Sequence, residues 1–476
     1  MKRKWVVVVM VASFFSGAGG MYAGLSAWEV KEEKVEQPSP SYKVPDELHK
    51  VQTAYEMIGD KYVAKVDRSE LIEGAIDGMV ASLKDPYSVY MDAETVKQFE
   101  ESLDSSFEGI GAEITVEDGK LLIVAPFKDS PAEKAGLKPK DQIVSIDGQS
   151  VSGLTIFEAT KKIRGKKGTS VTVGILRSGM SKPLKVKVKR NEIPLETVIA
   201  KMNKKRGQSI GIIEITSFSE DTAKEFKREL HKLENKKMTG LLIDVRGNPG
   251  GFLLSVEEIL KEFVTENRPY VQIEDRNGRK IPYFSKREKV KSYPIAVLTD
   301  QGSASASEIL AGALQEAEGY KIIGETTFGK GTVQQPVPLG DGSNLKLTTH
   351  KWLTPEGRWI HHKGIRPDIE VRQPDYFYAH PLQIEKPLKL EMNNDSIKSA
   401  QTMLEGLGYG PGRTDGYYNK ETEKAVRALQ LQAEMKQTGM IDRETADYLE
   451  KKWMEEMNKE KNDRQLQAAL SYLRNK

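Results

Sequence analysis

The spacing of apolar positions changes several times along this chain, and each change marks a different element. Lys2-Arg3-Lys4 precede an uncharged stretch from Trp5 to Trp28 whose apolar centre is Val6 to Phe15. A basic cluster ahead of such a run reads as an export signal or a retained membrane anchor, with the body outside the cytoplasm. No convincing small-residue cleavage site follows, so both forms stay open. Residues 29–44 are charged and proline-bearing, a linker. From 45 to 106, Leu48, Val51, Tyr55 and Ile58, then Leu71, Ile72, Ala75, Met79 and Leu83, recur at helical spacing and predict small helices that bury little alone. Between 195 and 375 short apolar runs alternate with helical stretches. Strands are expected at 210–215, 240–244 and 295–298, and helices near 219–235, 252–264 and 305–317, an α/β pattern. Residues 451–476 are dominated by charge and predict a solvated helix or tail.

Length turns these segments into several domains, because 476 residues exceed one core of ordinary size and suggest about three or four. The 38% apolar and 30% charged content is that of a soluble globular chain, and a net charge of +3 gives no argument for nucleic acid. Zero cysteines exclude a thiol nucleophile, a disulfide framework and a cysteine-zinc site.

Candidate chemistry gathers in Gly302-Ser303-Ala304-Ser305-Ala306-Ser307-Glu308 and in Phe328-Gly329-Lys330-Gly331-Thr332-Val333-Gln334. A serine at a helix entrance and a lysine between glycines can supply a nucleophile and its base without histidine. Ser305 to Glu308 equally fits a capping box, and Lys330 an ordinary loop lysine. Catalysis needs a neutral Lys330, although free lysine titrates near about 10.4; withdrawal from water favours the neutral amine. Gln334 can orient that amine without adding charge. Upstream, Leu241-Leu242-Ile243-Asp244 reads as a buried strand leading into Val245-Arg246-Gly247-Asn248-Pro249-Gly250-Gly251. Amides of Gly250 or Gly251 and of Ala306 are the expected oxyanion donors, since a helix entrance presents unpaired N–H groups; a plain tight turn is the alternative. His350, His361 and His362 lack a flanking carboxylate at ligand spacing, and the adjacent pair is expected on opposite faces of a strand. Neither metal nor cofactor is expected, and a Ser-His-Asp hydrolase using His350 or His361 is the competing enzyme reading.

In order along the chain, Asp85-Pro86-Tyr87-Ser88, the run 244–251, the run 302–308, Gly329 to Gln334, Thr354-Pro355-Glu356-Gly357-Arg358 and Gly364-Ile365-Arg366-Pro367-Asp368 together resemble the carboxyl-terminal processing, or tail-specific, proteases. The resemblance spans roughly residues 45–375. It implies Ser305 as nucleophile, Lys330 as base and Gln334 as its partner, on a fold shared with Clp-type peptidases and crotonases. It also implies N-terminal helices used for packing and, in some members, for homodimers. Tyr87 departs from the histidine often found there.

Residues 107–192 resemble a PDZ domain, through Gly109-Ile110-Gly111-Ala112, the run Ser130 to Leu137, and Asp141-Gln142-Ile143 with Ile146-Asp147-Gly148. The N–H groups of Gly109 to Ala112 would hold a terminal carboxylate while a peptide with an apolar C-terminus adds as a strand. Arg164 is either a coupler between this site and the peptidase or a solvated arginine. Residues 391–450 resemble a three-helix peptidoglycan-binding domain: Asp415-Gly416 before Asn419-Lys420-Glu421-Thr422 is echoed by Gly439-Met440-Ile441-Asp442-Arg443-Glu444-Thr445. Leu429 stands where phenylalanine is common, which alters the expected ligand surface. The fold class is therefore multidomain α+β, with N-terminal helices, a PDZ barrel, an α/β peptidase core and a C-terminal three-helix domain. Two functions remain open: an exported Ser-Lys endopeptidase near the cell wall, or a silent PDZ and wall-binding scaffold.

Overall fold

The computed structural model describes residues 45–476 apart from 104–105, 118–119, 127–129, 139–140, 155, 178–181, 195, 206 and 383, so the stretch from Trp5 to Trp28 lies outside the described residues. The chain forms two compact units. The first comprises the described residues up to Thr197 with Phe218–Glu225 and Gln335–Leu347; the second comprises Val198–Ser217, Phe226–Gln334 and Thr348–Lys476.

In the first unit, helices α1 (Leu48–Lys61) and α2 (Arg68–Ala81) follow the helical spacing read from the sequence, with Asp67 capping α2. Their apolar stripes stay largely in solvent: α1 has no buried residue, and Leu48, Val51, Ile58, Ile72 and Met79 are exposed. Strand β1 (Val89–Met91) pairs antiparallel with Asn344–Lys346. The PDZ module is an antiparallel sheet in the order β2-β3-β4-β5-β6, made of Ala112–Glu117, Lys120–Pro126, Gln142–Ile146, Ser170–Leu176 and Leu184–Lys189. Helix α3 (Ile156–Ile163) sends Ala159 and Ile163 into its core beside Ile123, Ile143, Val173 and Val188. Arg177 grips the buried Asp141 at 2.7 Å, which satisfies the carboxylate that opens the Asp-Gln-Ile motif.

The second unit is built on a six-stranded sheet ordered β7-β8-β9-β10-β11-β12: Val198–Lys205, Gln208–Ile215, Gly240–Asp244, Ile295–Thr299, Lys321–Gly324 and Ile369–Glu370. Only β7 runs antiparallel. Parallel strands covered on both faces read as continuous apolar runs, as Leu241-Leu242-Ile243 and Ile295 to Leu298 do, and every residue of both strands is buried. Helices α4 (Thr222–Asn235), α5 (Leu253–Leu260) and α6 (Ala306–Glu318) fall where the alternation placed them. The expected solvated tail does not hold. Helix α10 (Arg464–Arg474) buries Leu466, Ala469, Leu470 and Leu473 against Ile210, Ile212, Leu242, Ala296, Leu298 and Ile323, one face of the sheet. The i, i+3, i+4, i+7 spacing of those four residues gives the helix an apolar stripe, and burying it outweighs the charge around it.

Three helices, α7 (Asp395–Gly406), α8 (Lys420–Gln432) and α9 (Arg443–Met457), form the tail domain. Its internal echo has a physical basis in two buried glutamines. Gln401 accepts the Gly416 N–H and donates to Tyr417 O and Thr422 Oγ1; Gln430 accepts the Gly439 N–H and donates to Met440 O and Thr445 Oγ1. Leu429 is fully buried in this core, so it does not alter a ligand surface.

Candidate active site

Strand β10 ends at Thr299, and the chain reaches α6 through a loop organised by Asp300. Its Oδ1 accepts N–H groups from Gly302, Ser303 and Gly247, which ties the serine cluster to the turn after β9. Further bonds repeat that tie. Ser303 Oγ donates to Val245 O at 2.8 Å, while the Ala304 N–H (3.0 Å) and Ser307 Oγ (2.9 Å) both donate to Asn248 O. A Cβ on Gly302 would lie 2.9 Å from Gly247 Cα, so only glycine permits this approach.

Ser305 is thereby held at φ +53° and ψ −110°, and it is 6% exposed. The capping-box arrangement of Ser305 and Glu308 read from the sequence is present, but a capping serine sits in extended backbone, so capping alone does not account for this conformation. Strain of this kind costs on the order of 1–3 kcal/mol and persists only where surroundings over-determine it.

Part of that determination comes from Glu308, read from sequence only as a capping partner. Its Oε2 accepts the backbone N–H of Ser305 and that of Lys330, each at 2.8 Å; its Oε1 accepts Thr327 Oγ1 (2.5 Å) and the Gly329 N–H (2.7 Å). The backbone nitrogens of Ser305 and Lys330 share one oxygen and lie closer together than twice 2.8 Å. Burial pushes the Glu308 carboxyl above its ordinary value, against four hydrogen bonds that favour the ionised form.

Lys330 is 2% exposed. Its loop is pinned from several sides: Trp352 Nε1 donates to Lys330 O and Trp359 Nε1 to Gly331 O, both at 2.8 Å, and the Gly331 N–H donates to His361 Nδ1. The expectation that His361 and His362 face opposite sides of a strand fails, because the two occupy a turn with ring centroids 3.9 Å apart and His362 at φ +59°. His361 supports the lysine loop, and His350 Nδ1 bonds its neighbour Thr349. Gln334 is fully buried on the strand Thr332–Pro338. Its Nε2 donates to Thr332 Oγ1 and Thr348 Oγ1, while its Oε1 has no hydrogen-bond partner among the described residues.

The expected oxyanion donors divide. The Gly250 N–H donates to Asn248 Oδ1 at 2.8 Å, which removes it from the donors facing a substrate; Gly251 (φ +142°) continues the turn, and Ala306 opens α6. Beneath the turn, Arg246 is held by Asp244 and, across 217 positions of sequence, by Asp463. No local signal pointed to Asp463. In the first unit, Gly109 to Ala112 sit at the start of the PDZ sheet, with Ile110 O accepting the Ala132 N–H and Gly111 at φ +73°, and the Arg164 guanidinium lies 4.7 Å from the Phe107 ring centroid. Among the described residues no group of three or more His, Asp or Glu could hold a metal ion, and no helix is long and apolar enough to cross a membrane.

Family models match four segments: peptidase family S41 over residues 209–371, a PDZ domain over 109–188, a putative peptidoglycan binding domain over 393–449, and the activating protease CtpB N-terminal domain over 14–95. The chain is 55% identical over 477 residues to the carboxy-terminal processing protease CtpB of Bacillus subtilis, covering 99% of both. It is 42% identical to CtpA of the same organism, covering 89% of this chain and 90% of that one. Among solved structures, a photosystem II D1 C-terminal processing protease matches at 26% identity and TM-score 0.43, over 69% of this chain and 94% of its own. With more than half its residues identical to such an enzyme along almost its whole length, the chain belongs to the carboxy-terminal processing serine proteases of peptidase family S41.

Proposed function

We propose that this protein is an exported endopeptidase in which Ser305 is the nucleophile and Lys330 its general base. Ser305 Oγ attacks the scissile carbonyl as its proton passes to the Lys330 amine; that proton then goes to the leaving amine as the C–N bond breaks. Water, deprotonated by the same lysine, cleaves the resulting ester and restores the hydroxyl. The observation that carries this reading is the strained Ser305 backbone bound, through one Glu308 oxygen, to the backbone of a buried lysine. Burial favours the neutral amine that a base must be. Gln334 Oε1, a buried acceptor still to be matched, is assigned to that amine. Gly251 and Ala306 amides are the assigned oxyanion donors.

The PDZ match supports capture of substrates by apolar C-termini at Gly109 to Ala112, with Arg164 at the edge of that site. The uncharged run from Trp5 to Trp28 behind a basic cluster supports export, with a cleaved signal or a retained anchor as its two forms. The match to a putative peptidoglycan binding domain supports residence near the cell wall.

Lys330→Ala in the purified protein should lower kcat on a peptide with an apolar C-terminus by about 10²–10⁴-fold. Lys330→Arg should be equally impaired, because a guanidinium stays protonated. An undiminished rate in either variant would overturn the dyad.

A further inference from the structure

The tail domain interrupts the peptidase body instead of following it. Residues 393–449 lie between β12, the last strand of the peptidase sheet, and α10, the helix that covers that sheet. The two chain ends of this interruption are bonded together. Gln373 Nε2 donates to Asp463 Oδ1 (2.6 Å), the Arg464 N–H donates to Gln373 Oε1 (3.0 Å), and Gln465 Nε2 donates to Val371 O (2.9 Å).

This junction reaches the turn beside the serine through one side chain. Arg246 donates to both oxygens of Asp463 (3.0 and 2.9 Å), to Gln465 Oε1 (3.1 Å) and, on its other edge, to Asp244 (2.7 Å). Its side chain is only 18% exposed and that of Asp463 only 15%, so this charge pair has little water to replace either partner. Arg246 sits between Val245, whose carbonyl accepts Ser303 Oγ, and Asn248, whose carbonyl accepts the Ala304 N–H and Ser307 Oγ. Those three residues bracket Ser305.

We propose that Asp463 is a positioning residue for the peptidase reaction: through Arg246 it fixes the Val245–Asn248 segment and with it the backbone that presents Ser305. This rests on the assignment of Ser305 as nucleophile. It makes turnover depend on a residue beyond the S41-matched region, in a segment reached only after the tail domain. A polar group that holds a reacting geometry at a distance acts on the chemical step, and a displacement of about 1 Å can cost about 10²-fold.

The test compares Asp463→Asn, which keeps shape and removes charge, with Leu470→Ala, which weakens α10 without touching Arg246. Both are assayed as full-length protein on a quenched peptide with an apolar C-terminus, beside Ser305→Ala and Lys330→Ala. Asp463→Asn should lose about 10- to 100-fold in kcat with KM within about twofold, while Leu470→Ala lowers Tm at least as much and keeps kcat per folded molecule. Wild-type kcat in Asp463→Asn overturns the proposal, as does a loss no larger than its loss of folded protein. Should that variant fail to fold, Gln465→Met carries the test: it removes one bond to Arg246 together with the bond to Val371 O, so a several-fold fall in kcat beyond any loss of folded protein is expected and an unchanged kcat overturns the proposal. Activity in Lys330→Ala would count against the base assignment alone, because the Asp463 result is read from its own variants.

Discussion

Two kinds of helix start in the second unit differ in a way that separates structure from chemistry. At Asn394, Asn419, Asp442 and Asp463 the backbone is extended, and the side chain accepts the N–H three residues on, from Ile397, Thr422, Thr445 and Leu466 at 2.8–2.9 Å. Each such cap pairs one of the donors a helix leaves unmatched at its start. Helix α6 carries a comparable local signature, Ser305 followed three residues later by Glu308, yet its capping residue is turned to φ +53° and its glutamate is shared between the Ser305 N–H and donors of the 327–330 loop. The tail domain uses its helix starts to close a core; the peptidase core holds one in a strained backbone beside a buried lysine loop. A cap motif in sequence therefore specifies where a helix begins and leaves open what the capping position does.

The comparison is sharpened most by the two tail glutamines. Gln401 and Gln430 are buried, and each makes at least three hydrogen bonds joining a glycine turn to the helix that follows. Truncation leaves several buried polar groups without partners, a loss of roughly 2–4 kcal/mol for Gln401→Ala or Gln430→Ala. The measurement is chemical denaturation followed by hydrogen exchange, which should show the loss concentrated in residues 393–457. Equal destabilisation of the peptidase sheet would mean the tail is not the locally specified element described here.

Next in size are the caps themselves. Asn419→Ala and Asp442→Ala should each cost about 1 kcal/mol, read as a fall in the denaturation midpoint at unchanged slope. A cost near zero at both sites would remove the distinction between these starts and that of α6.

How much of this was legible follows from the same contrast. The tail repeat could be read because each unit is local: a glycine turn, a short polar cap and a threonine three positions later lie within a few residues. The strands read at 240–244 and 295–298 were legible because a parallel strand buried on both faces reads as a near-continuous apolar run, with Asp244 at the end of the first. Helix α10 carries its stripe at Leu466, Ala469, Leu470 and Leu473 in plain view, but periodicity does not say which surface will cover it, and the charged residues before it pointed toward solvent. Ser305 and Lys330 were legible as residues in motifs. The carboxylate that joins them was not, since its four donors come from residues 305, 327, 329 and 330 and meet only in the fold. Gly250 shows the limit from the other side: a glycine-rich turn is visible in sequence, while the side chain that claims its N–H, Asn248, is visible only in three dimensions.

The smallest expected effect has the sign that decides the matter. If Ser305 were a cap, replacing it by glycine would cost a few tenths of a kcal/mol. If it is a strained residue held for its hydroxyl, glycine accepts φ +53° without penalty, and the relief of about 1 kcal/mol or more competes with the greater freedom of glycine in the unfolded chain, about 0.4–1 kcal/mol. The net change for Ser305→Gly should lie between zero and about 1 kcal/mol of added stability, with catalysis abolished, whereas Asp442→Ala loses stability. Ser305→Ala separates the two contributions, since it removes the hydroxyl and keeps the strain, so its Tm should fall below that of Ser305→Gly. A stability order of wild type above both variants would restore Ser305 as an ordinary helix cap.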